Sequence, residues 1–225
     1  MRRLLTISEN LKELYPDAKF GMLVMKNVKN LHSDPKFSEV KASIQNELLN
    51  KYPNFNRKEF VKTEPICFYK NYYKKFKKTY PVQLELESVV LKGKSIPNVS
   101  TLVEAMFTAE LKNLLLTAGH DLDKINFPLK LSLADGSESF TGISGKDQSL
   151  AKNDMMLSDR TSVISSILNG PDYRTRITAD TKNALFYTYI PSGISDDAIF
   201  KHLKDISDYV SIFSPDAKID LMEIF

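Results

Sequence analysis

The chain has a single cysteine, Cys67, among its 225 residues. No disulfide can close within it, and no pair of thiolates is present to hold a metal. Cys67 lies in the apolar run Ile66-Cys67-Phe68-Tyr69 and reads as an inert core thiol rather than a nucleophile. Histidine is scarce too: His32, His120 and His202 lack the spacing of metal ligands, so neither a metal nor another cofactor is expected. No apolar run approaches the ~20 residues that a membrane-spanning helix needs. Residues 1–12 hold no continuous apolar segment ending in small residues, so no signal peptide is expected. A cytoplasmic protein with no membrane partner is the expectation. There is no Walker loop, no G-x-G-x-x-G and no G-x-S-x-G elbow; Ser144-Gly145-Lys146 reads as a hairpin turn. These absences exclude the commonest nucleotide and serine-hydrolase sites.

Charge of one sign is also modest, at +3 overall, too little by itself to announce a nucleic-acid binder. Its distribution is uneven. Residues 57–80 hold eight Lys/Arg against two Glu, a local +6, so the rest of the chain is net −3. In this segment Tyr69, Tyr72, Tyr73, Phe76 and Tyr80 recur at spacings near 3 and 4, with Lys70, Lys74, Lys75, Lys77 and Lys78 between them. That pattern fits an amphipathic helix with a solvated basic face. It also fits a phosphate-attracting surface with one or two tyrosines free to stack on bases. The two readings are compatible.

Apolar residues make up 42% of the chain, enough for a real core in one large domain or two closely packed lobes. Residues 20–28 (FGMLVMKNV) read as a strand. Asp34-Pro35 starts a helix reaching about residue 50, and residues 83–91 form another, ended by Gly93. Val99, Leu102, Val103, Met106, Phe107, Leu111, Leu114 and Leu115 mark a long helix, capped by Asn98 or Ser100 and ended by Gly119 in a left-handed turn. After Asp123 the period becomes alternating. Strands are expected at 128–134, 139–143, 154–158, 162–168 and 183–190, then a helix at 195–212 and an edge strand at 218–224. The fold class is α+β, helical in the first half and sheet-rich in the second.

Two constellations carry possible chemistry. Glu110, Asn113 and Thr117 lie 3 and 4 residues apart, on one face if the helix continues through them, and the chain then turns into His120-Asp121. A helix C-terminus and Asp121 would both favour a protonated His120, able to position or activate water. The plain alternative is a wet helix face followed by a capping Asp. The second constellation is Arg174 and Arg176, after the Gly170-Pro171 turn and near Asp172, in a chain with 6 arginines and 25 lysines. They suit a phosphate or carboxylate, or a structural ion pair to Asp172 or Asp180. Asn153 and Asp154 are candidates for lining the same surface.

At these residues a resemblance emerges. Residues 96–125, IPNVSTLVEAMFTAELKNLLLTAGHDLDKI, resemble the helix and following D-L-D turn of the B3/B4 domain. That domain is the tRNA-binding and editing module in the beta subunit of bacterial phenylalanyl-tRNA synthetase. PLKLSLADGSESF, NDMMLSDRTSVISSI and ITADTKNALFYTYIPSG are similar to its following hairpin and strands. The resemblance to the synthetase module covers residues 84–191. The resemblance to free-standing members covers nearly the whole chain, including ILNGPDYRTRIT and the terminal helix. It implies one B3/B4-like domain over residues 1–225, with an N-terminal portion to 83, a core at 84–191 and a C-terminal helix and edge strand from 192. Helices would pack on mixed or antiparallel sheets, with a pocket between the two halves.

The resemblance also implies a tRNA partner and, by analogy with the synthetase pocket that removes tyrosine from the phenylalanine tRNA, hydrolysis of mischarged aminoacyl-tRNA in trans. Yet the family's Thr-Asn pair falls on Met106 and Phe107, its histidine on Ala118 and its strand glutamate on Tyr187. Surviving hydrolysis would need a rearranged set. His120 and Asp121 are then the catalytic candidates. Glu110, Asn113, Thr117, Asn153, Asp154, Arg174 and Arg176 are the substrate-binding candidates, and Lys70, Lys74, Lys75, Lys77 and Lys78 the nucleic-acid contacts. A non-catalytic RNA-binding module, or a small-molecule binder reusing the pocket, are the alternatives.

Overall fold

Residues 19–26 are apolar at nearly every position, which suits a strand covered on both faces rather than one. The computed structural model, which describes residues 5–225, places them so; residues 1–4 lie outside it, among them Leu4, the first residue of a short apolar stretch, 4–7, near the start of the sequence. This strand, β2 (Lys19–Lys26), is interior to a four-stranded sheet in the order β11-β2-β10-β3. Its companions are β3 (Thr117–Asp121), β10 (Asn183–Ile190) and β11 (Lys218–Ile224), all antiparallel to their neighbours.

A second sheet runs β1-β4-β7-β8-β9, with β1 (Leu5–Ile7) parallel to β4 (Leu129–Leu133) and antiparallel pairs beyond. Its other strands are β7 (Met155–Ser158), β8 (Val163–Ser166) and β9 (Gly170–Pro171). β5 (Ser139–Thr141) and β6 (Asp147–Ser149) form a separate hairpin. The two larger sheets face one another. Tyr189 on β10 reaches Ser165 on β8 through a hydroxyl–hydroxyl bond of 2.5 Å, amid a single apolar core.

Helices pack around the sheets: α1 (Glu9–Leu14), α2 (Pro35–Lys51), α3 (Arg57–Phe60), α4 (Ile66–Lys75), α5 (Pro81–Lys92), α6 (Thr101–Asn113), itself enclosed by α2, α5 and α7, and α7 (Asp196–Phe213). The α+β class therefore holds, with mixed and antiparallel sheets. α2 begins as its sequence directs, Asp34 Oδ1 accepting from Phe37 N at 2.9 Å ahead of Pro35. α7 begins at Ser195, whose Oγ accepts from Ala198 N. α5 stops at Gly93, which takes φ +62.

The end of α6 differs from expectation. The helix stops at Asn113 because Leu114 takes the left-handed conformation, φ +60. Gly119 is not a helix cap. It is buried inside β3, a strand that the sequence pattern hid because Thr-Ala-Gly-His-Asp has no apolar alternation. Ser100 precedes α6 but its side chain makes no cap bond; Glu104 Oε1 accepts from Val99 N instead, at 2.9 Å. Glu104 also pairs with the buried Lys41 at 2.6 Å, tying α6 to α2.

α4 is the helix of the tyrosine stripe. Tyr69, Tyr72 and Tyr73 are buried, as is Tyr80 beyond its end. Their hydroxyls are used: Tyr69 donates to Tyr189 O (2.6 Å), Tyr72 to Asp154 Oδ1 (2.8 Å), Tyr73 to Ile167 O and Tyr80 to Leu114 O (3.0 Å). Tyr69 and Tyr80 stack face to face at 4.2 Å. The stripe is a core face, so none of these tyrosines is free to stack on a base. Cys67, expected in the core, is only half-buried.

Candidate functional site

On α6, Val103, Met106, Phe107, Glu110 and Leu111 share one face, by their 3- and 4-residue spacing. That face, with α5, β3 and the segment around Gly170-Pro171, encloses a cavity of about 340 Å³. Its buried floor includes Val82, Met106, Glu110, Leu111, Thr117 and Gly119. Its rim includes the exposed Pro81, Glu85 and Ile143, the last carried on the turn of the β5–β6 hairpin. Gly119 keeps the floor open. A Cβ there would lie 2.8 Å from Ile177 Cδ1 and 3.3 Å from Met106 Sδ. The positions matched to the family's Thr-Asn pair, Met106 and Phe107, line this cavity as apolar groups.

Glu110 is the buried acid of the site, only 6% exposed. Its Oε1 accepts from Thr117 N at 2.6 Å. Burial lifts its carboxyl to about pKa 8; the Thr117 amide pulls the other way, and the negative Glu85 adds to the rise. No lysine or arginine is among the lining residues. Glu110 and Thr117 therefore do meet, but across a turn and not along a helix. The sequence signal for the site was an acid in phase with an apolar helical stripe.

The other expected site residues go elsewhere. Asn113 faces α7: its Nδ2 donates to Asp205 Oδ2 (2.8 Å), and its Oδ1 accepts from Lys201 (3.0 Å). His120 is fully buried on the opposite face of β3 from Thr117 and Gly119, by strand alternation. Its Nδ1 lies 2.8 Å from Thr175 Oγ1, and Nε2 has no hydrogen-bond partner. Burial, with Arg174 nearby, lowers its pKa to about 3, so it is a neutral core imidazole and not the protonated group the sequence led us to expect. Asp121 does not touch it. Its Oδ1 accepts from Asp123 N, capping the short 3-10 turn Leu122–Lys124, and Oδ2 accepts from Thr181 Oγ1 at 2.9 Å. The capping alternative holds.

Asp154 is buried under α4, held by Tyr72, and burial raises it to about pKa 6. Asn153 is an exposed turn residue with φ +68. Neither lines the cavity. Arg174 is a structural link: it donates to Asp159 Oδ2 and to Lys124 O, both at 2.8 Å. The sequence had named Asp172 or Asp180 as its partner, but Asp172 Oδ2 stands farther off, at 3.9 Å. Arg176 stacks its guanidinium 3.4 Å over the Tyr173 ring.

The buried histidine that does approach the cavity wall is one the sequence left unassigned. His202 Nε2 lies 2.7 Å from Thr117 Oγ1, which in turn bonds Thr188 Oγ1 at 2.9 Å. It too is held neutral by burial, at about pKa 3. The only hint was its place on the apolar face of α7.

Beside the cavity lies an open groove of about 560 Å³, lined by Arg57, Lys58, Lys70, Lys74, Lys77 and Lys78. Arg57 and Lys58 join the expected set. Lys75 leaves it, lying over the Tyr15 ring at 4.3 Å. The groove and the cavity adjoin. Tyr80 lines the first, and the next residues, Pro81 and Val82, line the second. Lys78 Nζ donates to Asn169 Oδ1 at 3.1 Å, and Gly170 beside it is in the cavity wall.

A family model described as "B3/4 domain" matches residues 67–211. No curated protein matches the sequence. Among solved structures, the fold is similar to an N-terminal fragment of the phenylalanyl-tRNA synthetase beta-subunit from Pyrococcus horikoshii. The two share 13% identity, with a TM-score of 0.49, over 98% of this chain and 53% of the fragment. The chain thus spans about half the length of that fragment. No described helix is long and apolar enough to cross a membrane, and no group of metal-ligating side chains occurs among the described residues.

Proposed function

The chain belongs to the B3/4 domain family, and we propose on that footing that it is a tRNA-binding protein whose basic groove grips the RNA beside a ligand pocket. One observation carries this reading: the groove lined by six cationic side chains opens next to the apolar cavity, joined at Lys78–Asn169 and at Tyr80-Pro81. A small-molecule binder indifferent to RNA has no need of that continuity. Phosphates are drawn to the lysines, and the adjoining cavity receives a group carried at the RNA end. The test is tRNA binding by the wild type and by a variant with Lys70, Lys74, Lys77 and Lys78 changed to Glu. The variant is expected to bind at least about tenfold more weakly at moderate salt, as the loss of several phosphate contacts requires. Equal binding by the two proteins, or none by the wild type, sinks the reading.

Glu110 favours a second step, hydrolysis of an aminoacyl ester in trans. A buried carboxyl near pKa 8 at the floor of a cavity is able to take a proton from water once ionised. Activity of this kind rises with pH through about 8 and is lost in Glu110→Gln. The check is deacylation of a panel of aminoacyl-tRNAs from pH 6.5 to 9, where a flat profile, or turnover retained in the variant, rules Glu110 out. The remainder of the reading is then binding alone. One B3/4-like domain is part of the same proposal, since β2 from the N-terminal portion lies inside the sheet that holds β3 and β10.

A further inference from the structure

The cavity's polar groups are unbalanced in a way that points to the chemistry of its ligand. Its walls are apolar: Val82, Val103, Met106, Phe107 and Ile177 among others. Its two ionisable residues are both acids, Glu110 on the buried floor and Glu85 on the exposed rim. Neither is paired with a cation in the described structure, and no basic side chain lines the space. The only hydrogen bond to the Glu110 carboxylate engages Oε1; among the described residues nothing donates to Oε2. The other ionisable groups felt at Glu110 are phenols, Tyr69 and Tyr73 from α4 and Tyr80 ahead of α5, which are uncharged at neutral pH. A buried acid with no counter-charge is costly to the empty protein. A cationic ligand removes that cost, and an apolar slot ending in an acid selects an apolar stem with a positive tip.

We propose that this cavity takes a primary ammonium group on an apolar stem, seated on the Glu110 carboxylate with Glu85 at the entrance. The inference rests on the reading of this cavity as a ligand site and adds the class of ligand. Two sources present that chemistry: the amine of an aminoacyl group carried by the RNA, and a free alkyl or arylalkyl amine. Binding moves no covalent bond; Glu110 releases a proton as it pairs with the ammonium, and a ligand seated this way makes Glu110 a binding group in place of the base for water considered above.

The test uses the intact protein with phenethylamine and its isostere 2-phenylethanol, followed by calorimetry or ligand-observed NMR at pH 8. The amine is expected to bind at least about tenfold more tightly than the alcohol, since a charge-assisted bond replaces a neutral one. Amine affinity is expected to increase from pH 6 to 9, as Glu110 ionises while the ligand stays protonated. Glu110→Gln, which keeps an acceptor for Thr117 N, should erase the amine preference; Glu85→Gln should reduce it. The pH profile of the wild type guards against a variant that fails to fold.

Equal affinity for amine and alcohol overturns the proposal, as does a preference that survives in Glu110→Gln. Binding of neither probe, with tRNA still held by the lysine groove, overturns it while leaving the RNA reading intact. Given the amine preference, an aminoacyl-tRNA and its N-acetylated form separate the sources. Weaker binding after acetylation places the amine on the RNA. Unchanged binding places it on a free small molecule.

Discussion

Glu110 and His120 show how burial reverses what residue type alone implies. Both are polar residues in one short stretch, and the sequence offered both to one site. The structure gives Glu110 a cavity and His120 none. The Glu110 carboxyl is raised in the folded state, so its contribution to stability is fully present below about pH 4.5 and is lost as pH rises through about 8. The unliganded wild type should therefore lose stability from pH 5 to 8, by on the order of 3–5 kcal/mol from this group. Glu110→Gln should flatten that slope and melt higher at pH 8.5. Thermal melts of the two proteins across pH give the comparison, and parallel curves would mean that Glu110 is not buried as described. His120→Ala has the opposite character. It should cost about 2–4 kcal/mol by opening a void in the core, yet leave tRNA binding and ligand preference as in the wild type. Loss of either, in a variant still folded at the assay temperature, would return His120 to the site.

Among the elements, α4 does two jobs with its two faces. Its tyrosines anchor it to the sheets through their hydroxyls, and its Lys70 and Lys74, with Lys77 and Lys78 just beyond its end, line the groove. Tyr69 both donates to Tyr189 O and accepts from Leu116 N at 3.2 Å. Tyr69→Phe leaves both backbone groups buried without a partner and should cost about 1–3 kcal/mol. A chemical denaturation curve with unchanged slope would report that loss. The same substitution should barely alter tRNA affinity, because the hydroxyl never reaches the groove. The α6–β3 connection is where the local pattern misled. Helical spacing carries apolar residues through Leu115, but Leu114 turns left-handed and the chain becomes a strand at Thr117, two residues before Gly119. The turn delivers Thr117 N to Glu110 and sends Asn113 toward α7. Propensity could not show this, since Leu114 is a good helix former that tertiary packing overrides.

For the whole molecule, charge placement matters more than charge total. The groove concentrates cations that a net charge of +3 conceals. If four lysines each displace one counterion, binding of single-stranded RNA should weaken with salt at a log–log slope whose magnitude drops by about 0.7 per lysine removed. Replacing Lys70, Lys74, Lys77 and Lys78 singly and together, and following the slope by titration, tests whether they act as one surface. Replacing Lys75, which lies over Tyr15, should leave the slope as it is.

The sequence by itself determined the α+β class, the family, the strands at β2, β10 and β11, the helix start at Asp34-Pro35, and the basic segment. Each is written in local pattern: apolar runs, a capping Asp before Pro, lysines between tyrosines. It also contained the acid in the apolar stripe of α6. Only the tertiary structure decided which polar residues share a space. Glu110 and Thr117 meet because the chain reverses between them, and His120 and Asn113 part from them because a strand alternates its faces and a helix ends early. Arg174 goes to Asp159, a residue on the turn between two strands, and Asp154 goes beneath Tyr72. Those partners are distant or divergent in sequence. Burial, which sets the charge state of every candidate acid and base here, is a property of the packed molecule and not of any one segment.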